Sequence, residues 1–400
     1  MRRKALIIFS ILVLMTTSVF VFSGCSLAAK IVGKTYVSYP QASRFSVGET
    51  EFDSAFEDLL IDWYGGSVYI SEYDGDEVLL KETANKELSQ DMQVHWAYFQ
   101  SSDYGDYYSI KYCKKGMWDL SDIKKDLVIL IPSNYTTFNK LSITARGECD
   151  INIYLPNVSF VGDVYGGDYN VHLDAEYGDI NAMFKDVDSL RMIGDGEEKA
   201  NSRNRMVIAQ KVGGIDYVSS FSRVIISVAS LTNYASIKNF AGDITFSCNE
   251  SLRKLTTDET KGTTYIRAKS FDKLDLTTRE GLIGVETSYD QKFKVTMSDY
   301  TLYKNNYKYK EPHFIGGLPI DVETDEEQIT HSGDTWTVGT GKNKYGKDID
   351  VKVMSGADVY FGTPQSFNFE EFENTGVFNN TPDPVISYED WQRQTNNQQN

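Results

Sequence analysis

Few side chains in this sequence stand at spacings that would support catalysis or metal binding. The histidines, His95, His172, His313 and His331, are scattered, and neither a second histidine nor a cysteine cluster lies at the spacing that a zinc site needs. A nucleophile elbow, a phosphate loop and a dinucleotide fingerprint are also absent from the sequence. We therefore expect no catalytic residue, no metal ligand and no cofactor.

Carboxylates are abundant but do not single out an acid/base pair. The stretches YDGDE (73 to 77) and DVETDEE (321 to 327) are dense in oxygen ligands, yet they match neither an EF-hand loop nor a calcium-binding β-roll repeat. A β-helix that cleaves acidic polysaccharides would need a dedicated pair of carboxylates, and many would serve equally well here. We expect a protein that is not an enzyme, with a polysaccharide-acting enzyme as the alternative.

Two aromatic-rich stretches are the candidate binding surfaces. They are HWAYFQSSDYGDYYSIKY (95 to 112) and DYTLYKNNYKYK (299 to 310), and the residues we nominate are Trp96, Tyr98, Tyr303 and Tyr307. Exposed rings of this kind can stack on sugars or anchor a protein partner. The alternative is that tyrosine is here a strand residue with a solvated tip.

The N-terminus carries an export signal. Three basic residues precede an apolar run from Ala5 to Phe22, and Ser23 and Gly24 lead into Cys25. This pattern resembles a bacterial lipoprotein signal, which implies lipidation of Cys25 and cleavage before it, although Phe22 stands where leucine is usual. An uncleaved membrane anchor is the alternative. Both place the bulk of the chain outside the cytoplasm.

The remaining cysteines do not form a disulfide framework. Cys113, Cys149 and Cys248 are odd in number and lack metal-site spacing, so at most one disulfide is available to them. Two of them lie in strand-like stretches, and we favour buried thiols over a disulfide.

Composition and periodicity predict an all-β chain. The 26 tyrosines, 21 phenylalanines and only 8 prolines suit half-buried strands punctuated by 30 glycines. Related segments begin at Phe138, Phe271 and Phe221, and each continues with a cation and alternating apolar residues. The apolar pairs are Leu141 with Ile143, Leu274 with Leu276, and Val224 with Ile226.

A small turn element recurs between these strands. It appears as VGDVY (161 to 165), YGDINA (177 to 182), GGIDYV (213 to 218), AGDITFS (241 to 247), GTTYIRA (262 to 268), GLIGVET (281 to 287) and SGADVYFG (355 to 362). Glycine permits the positive φ of a tight turn, and aspartate accepts its backbone hydrogen bonds. The spacing suits one coil of a single-stranded, parallel β-helix-like β-solenoid. Hairpins of a β-sandwich are the alternative.

The predicted organisation has four parts. A lipoprotein signal peptide spans 1–24, a tether and lead-in 25–55, the β-solenoid 56–362, and a mobile tail rich in Asn and Gln 363–400. Insertions interrupt the repeat at 194–205 and 304–348, and the second is long enough to carry a hairpin or a cap.

The order of these segments resembles the bacterial putative-adhesin family, a domain of unknown function. The stretches that carry the resemblance are YPQASRFSVGE, DLLIDWYGGSVYI with VLLKET, and KKDLVILIPSNYTTFNKLSITARGECDINI. Over about residues 39 to 362 the resemblance implies a β-solenoid fold and brings no established catalytic residues. RGEC departs from the family's small-Gly-Asp turn, and the late insertion is longer than its pattern.

These patterns predict a lipid-anchored surface protein that presents a β-solenoid for adhesion or ligand binding. A purely structural envelope scaffold is a further alternative. Because the net charge is −17, we expect no nucleic-acid partner. The expected partners are the membrane, through the lipid, and a surface glycan or an extracellular protein.

Overall fold

The computed structural model describes residues 34–52, 56–101, 105–164, 168–194, 203–288, 291–298, 311–315, 329–342, 347–355 and 358–362. Within these ranges the chain is all-β, as predicted, with 25 strands and two single-turn 3-10 helices at Ala42–Arg44 and Gln90–Met92. In the same ranges no helix has the length and apolarity needed to cross a membrane. The predicted signal peptide, Cys25 and the predicted tail at 363–400 lie outside the described residues.

Nine strands precede residue 133: β1 (Thr35–Val37), β2 (Ser46–Val47), β3 (Thr50–Phe52), β4 (Asp58–Tyr73), β5 (Val78–Ala84), β6 (His95–Ser101), β7 (Gly105–Lys111), β8 (Gly116–Trp118) and β9 (Lys125–Pro132). The first three belong to the segment that the sequence assigns to the lead-in. Val37 and Phe52 of that segment are buried in the core.

Sixteen strands follow. The middle ten are β10 (Thr137–Phe138), β11 (Lys140–Leu155), β12 (Ser159–Phe160), β13 (Val171–Ala175), β14 (Ile180–Phe184), β15 (Asp186–Gly194), β16 (Asn204–Phe221), β17 (Arg223–Ala241), β18 (Ile244–Ala268) and β19 (Phe271–Thr287). The last six are β20 (Phe293–Ser298), β21 (His313–Ile315), β22 (Ile329–Ser332), β23 (Thr335–Val338), β24 (Asp350–Ser355) and β25 (Asp358–Gly362).

The middle strands pair in parallel. From β16 to β19, each residue pairs with the residue about 20 positions further along the chain. The register defines a continuous inward column, column A, made of Leu141, Val171, Leu190, Ile215, Ala235, Leu255, Leu274 and Val351. A second column, column B, contains Ile151, Ile180, Arg205, Val224 and Ile244. All members of both columns are buried, so one core runs along the stack.

The predicted alternation is confirmed by burial. Leu141, Ile143, Leu274 and Leu276 are at most 1% exposed. Val224 and Ile226 are also buried, but their segment corrects the sequence interpretation in one respect. The copies that begin at Phe138 and Phe271 share column A, whereas the copy that begins at Phe221 lies in column B, because the chain buries more than one apolar side per repeat.

Stacked glycines form one corner between these columns. Gly242, Gly262 and Gly281 have φ values of 113°, 151° and 137°, which side-chain-bearing residues rarely adopt. A Cβ on Gly281 would overlap the carbonyl oxygen of Gly262, and one on Gly262 would overlap that of Gly242. The predicted positive φ is therefore confirmed at these three glycines, whereas Gly178 and Gly213 of two other turns lack it, and close stacking gives a second reason for glycine.

At both ends of the stack, the order of neighbouring strands differs from their order along the chain. β4 lies between β7 and β11, because Leu59 pairs with both Tyr108 and Leu141. Likewise β24 lies between β19 and β20, because Val351 pairs with both Leu274 and Val295. Antiparallel strands adjoin the outer members: β6 pairs with β7, and β23 pairs with β20 and β22. Such strands cover edges that would otherwise invite pairing with another chain.

A buried polar ladder runs beside the glycine corner. Its rungs are Ser219, Asn239, Glu259 and Thr278. Thr264 Oγ1 donates to Glu259 Oε2 at 2.6 Å, while Glu259 Oε1 and Asn239 Oδ1, on adjacent rungs, have no partner among the described residues. Burial, and secondarily the charge of Asp243, raise the pKa of Glu259 to about 8 against the Thr264 hydrogen bond. A protonated Glu259 is the form that suits this interior.

We expect the stability of the protein to fall as the pH rises from about 5 to about 8, in part through Glu259. Its folded pKa of about 8 exceeds the ordinary value of 4.5, so its contribution is intact below the lower value and is lost toward the higher one. Glu259→Gln should remove that loss and stabilise the protein at pH 8, on the order of a few kcal/mol. Urea unfolding at several pH values measures it, with the exposed Glu250→Gln as control. Parallel pH profiles for all three proteins would contradict the assignment.

Candidate functional site

A cleft lies beside the N-terminal strands. The cleft is lined by residues 34–36, 64–66, 120–121, 123–124 and 146–148, together with Glu176. Its volume is about 660 Å³, within the range of about 300–1,000 Å³ that is usual for ligand sites. We call it the corner cleft.

Glycines shape the corner cleft. Gly65 and Gly66 have φ values of 66° and 72°, and a Cβ on Gly66 would overlap the carbonyl of Lys125. On the neighbouring strand the register shifts between Arg146 and Cys149, which is a β-bulge that pushes Gly147 and Glu148 outward. This bulge is the RGEC segment that departs from the recurrent turn.

Arg146 is held at the rim by a carboxylate and an aromatic ring. Its Nε donates to Asp62 Oδ1 at 3.3 Å, and its guanidinium carbon lies 5.6 Å from the centre of the Tyr64 ring. Lys111 Nζ approaches the other oxygen of Asp62 at 3.8 Å. Burial, followed by the charge of Asp62, raises the pKa of Tyr64 to about 12, so its hydroxyl keeps its proton. The described polar contacts of Arg146 use Nε, which leaves its two terminal nitrogens for a ligand.

The charge of the corner cleft contrasts with that of the whole protein. Lys34, Lys124 and Arg146 line it, against two acids, Glu148 and Glu176. Glu176 already accepts the Gly147 N–H at 2.9 Å. Tyr36, with 44% of its surface exposed, adds an accessible ring. Chemically, this arrangement suits a ligand that combines an anionic group with an apolar face.

A buried lysine supports the floor of the cleft. Lys125 Nζ donates to Glu82 Oε2 at 2.9 Å, to the Met92 carbonyl at 2.7 Å and to the Tyr112 carbonyl, and it lies 4.9 Å from the centre of the Trp63 ring. The Lys125 carbonyl in turn accepts the Trp63 indole N–H at 2.9 Å. Burial lowers the pKa of Lys125, and the Glu82 carboxylate opposes that shift. These contacts fix Trp63 and Lys125 in place, and thereby position the adjacent cleft residues Tyr64 and Lys124.

Two of the nominated aromatic residues, Trp96 and Tyr98, do not line this cleft. Trp96 is half-buried, donates from Nε1 to the Gly48 carbonyl at 3.1 Å, and packs edge-on against Phe52 at 5.2 Å. Tyr98 is also partly buried and donates to Asp106 Oδ2 at 2.6 Å. Both rings are therefore partly buried against the core rather than free, and their role in binding stays a prediction. Tyr303 and Tyr307 lie outside the described residues.

The histidines and cysteines of the described residues are not clustered with one another. His95 is buried and its Nδ1 lies 2.9 Å from the Gln93 carbonyl, whereas His313 and His331 are exposed. Cys113, Cys149 and Cys248 are buried free thiols, as favoured by the sequence. Burial raises the pKa of Cys113 to about 12, so this thiol is not reactive at neutral pH. Within the described ranges, no three His, Cys, Asp or Glu residues are grouped as a metal would require.

Comparison with known proteins gave two solved structures. One is a putative adhesin from Bacteroides fragilis NCTC 9343, 13% identical, with a TM-score of 0.33 over 61% of this chain and 97% of that one. The other is a putative cell adhesion protein from Clostridium sporogenes ATCC 15579, 8% identical, with a TM-score of 0.18 over 80% of this chain and 99% of that one. No family model and no curated protein matches the chain.

Proposed function

We propose that this chain is a lipid-anchored surface protein that presents a β-solenoid and binds an anionic surface ligand in the corner cleft without chemical turnover. The observation that carries the proposal is the convergence of Arg146, Lys34 and Lys124 with Tyr36 in one cleft of an acidic protein. The positive charge of these three side chains attracts an anion to the cleft. The terminal nitrogens of Arg146 can hold a carboxylate in a two-point contact.

The solenoid part of the proposal is supported by the register. Parallel pairing connects β13, β15, β16, β17, β18 and β19 in an unbroken series, with inward side chains aligned in column A. A single coil of about 20 residues cannot bury its own apolar side, so stability requires its neighbours above and below. Such a stack is a rigid support for a surface site.

The lipid anchor is supported by the N-terminal sequence, and its test is direct. We expect the mature protein to begin at lipidated Cys25, because a basic start, an apolar run and a small-small-Cys ending form one signal. Mass spectrometry of the N-terminal peptide from native membranes measures this. An uncleaved peptide that contains both Phe22 and an unmodified Cys25 would contradict it.

The competing function is cleavage of an acidic polysaccharide in the same cleft. Glu148 and Glu176 are the carboxylates available there, and Glu176 is engaged with the backbone of Gly147. We expect purified protein incubated with polygalacturonate to bind it saturably and to release no soluble sugar. Release of oligosaccharides that stops on Glu148→Gln or Glu176→Gln would overturn the proposal in favour of an enzyme.

A further inference from the structure

A flat aromatic surface lies on the outer side of the column A strands. Tyr234 on β17 pairs with Gly214 on β16, and a Cβ on Gly214 would stand 3.1 Å from Cε1 and 3.5 Å from Cζ of the tyrosine ring. The ring therefore lies against the backbone of the neighbouring strand, where a side chain at position 214 would crowd it. Tyr234 is nevertheless 40% exposed, so part of the ring remains accessible to solvent.

Hydrogen bonds fix this ring in place. Tyr234 Oη donates to Asp216 Oδ2 at 2.7 Å, and Tyr169 Oη donates to the same oxygen at 2.8 Å. Arg191, the register partner of Asp216 on β15, has its guanidinium carbon 5.5 Å from the centre of the Tyr169 ring. The described hydrogen bonds of Asp216 all use Oδ2, so Oδ1 can still accept one. The backbone of β17 holds one end of the Tyr234 ring and Asp216 holds its hydroxyl, so the ring loses little conformational entropy when a ligand covers it.

The chemistry of this surface fits a sugar. A pyranose has an apolar C–H face that can cover an aromatic ring and a rim of hydroxyls that can donate to a carboxylate and accept from a guanidinium. The charge of Asp216 beside the ring disfavours a sugar acid. We propose that Tyr234, Asp216 and Arg191 form a binding site for a neutral hexopyranose unit of a glycan, separate from the corner cleft and independent of the function proposed for it.

A purely structural role for Tyr234 makes a different demand. An aromatic ring that covers a glycine on the neighbouring strand can stabilise a sheet without binding anything. Tyr234→Ala would then lower stability but change no affinity. Tyr234→Phe keeps the ring and the cover of Gly214 while losing the hydroxyl bonded to Asp216, so it separates the ring from its anchor.

Titration of the purified full-length protein with tetrasaccharides of glucose, galactose and mannose tests the site. Isothermal titration calorimetry measures affinity, and saturation-transfer NMR identifies the sugar protons that touch the protein. We expect at least one neutral tetrasaccharide to bind, Tyr234→Ala to weaken it at least about tenfold, and Tyr234→Phe to weaken it less. Phe240→Ala, which removes another exposed aromatic ring of the same strand, outside both sites, should leave this binding unchanged.

Three results would overturn the site: no binding of any neutral tetrasaccharide, wild-type affinity in Tyr234→Ala, or an equal loss in Phe240→Ala. If circular dichroism shows that Tyr234→Ala is misfolded, Asp216→Asn serves in its place, because it retains the ring and weakens acceptance of a sugar hydroxyl. Wild-type affinity in Asp216→Asn would then also overturn the proposal. The corner cleft is tested with acidic sugars, so failure of one site leaves the other standing.

Discussion

Leu274→Asp is expected to abolish the cooperative unfolding transition of the protein or to lower its free energy of unfolding by several kcal/mol. Leu274 is fully buried in column A, between Leu255 and Val351. A carboxylate there would lack a partner, and the cost of burying it is comparable to the whole stability of a domain. Urea unfolding followed by circular dichroism measures the effect.

The neighbouring Lys273→Asp is the matched control for this substitution. Lys273 faces outward with 40% of its side chain exposed, and its Nζ lies 3.2 Å from Asp275 Oδ2. Losing a surface ion pair costs at most about 1 kcal/mol. If Leu274→Asp and Lys273→Asp were tolerated equally, the assigned inward register would be wrong.

Lys125→Met is expected to lower the free energy of unfolding by about 3–5 kcal/mol, because removing one partner of a buried ion pair leaves the other without compensation. The Glu82 carboxylate, 8% exposed, would lose its cation, and the Met92 and Tyr112 carbonyls would lose their donor. Methionine retains most of the apolar stem of lysine, so the loss reports the charge rather than a cavity. Urea denaturation at neutral pH is the measurement.

Two further variants sharpen the Lys125 experiment. Lys124→Met changes the adjacent, exposed lysine and should alter the unfolding free energy by less than about 1 kcal/mol. Adding Glu82→Gln to Lys125→Met should recover part of the loss, since glutamine is neutral and can still accept the Val94 N–H that Glu82 accepts now at 2.9 Å. A Lys125→Met protein as stable as Lys124→Met would contradict the structural role of the buried pair.

Local periodicity made the strands and their inward faces predictable from the sequence. Leu141, Ile143, Leu274 and Leu276 alternate with polar residues, and a period of two admits only one choice of buried face. The same alternation also places a charged residue on the buried face of β9. Lys125 is in phase with Leu127 and Ile129, and all three are buried. A charged residue in phase with an apolar strand is thus a marker for a buried ion pair or polar network.

What the sequence did not disclose depends on contacts between distant segments. The corner cleft joins residues 34–36 to residues 146–148 through a bulge and paired glycines, and no local pattern specifies that meeting. Tyr234 lies against the sheet because the register places Gly214 beneath its ring. The aromatic density around Trp96 predicts a binding face, which stays a prediction, and tertiary packing places part of that ring against Phe52. Residue type alone does not separate these outcomes.

Binding of an oligogalacturonate to wild-type protein and to Arg146→Gln tests ligand recognition in the corner cleft most directly. A charge-assisted two-point contact is worth about 1.5–3 kcal/mol, so the variant should bind at least about tenfold more weakly. Arg253→Gln, which removes an exposed arginine outside the cleft, and the methyl-esterified oligomer, which removes the ligand's charge, are the controls. We predict saturable binding that needs both Arg146 and the free carboxylates. Equal affinity of the wild-type and Arg146→Gln proteins, or no binding by either, would contradict it.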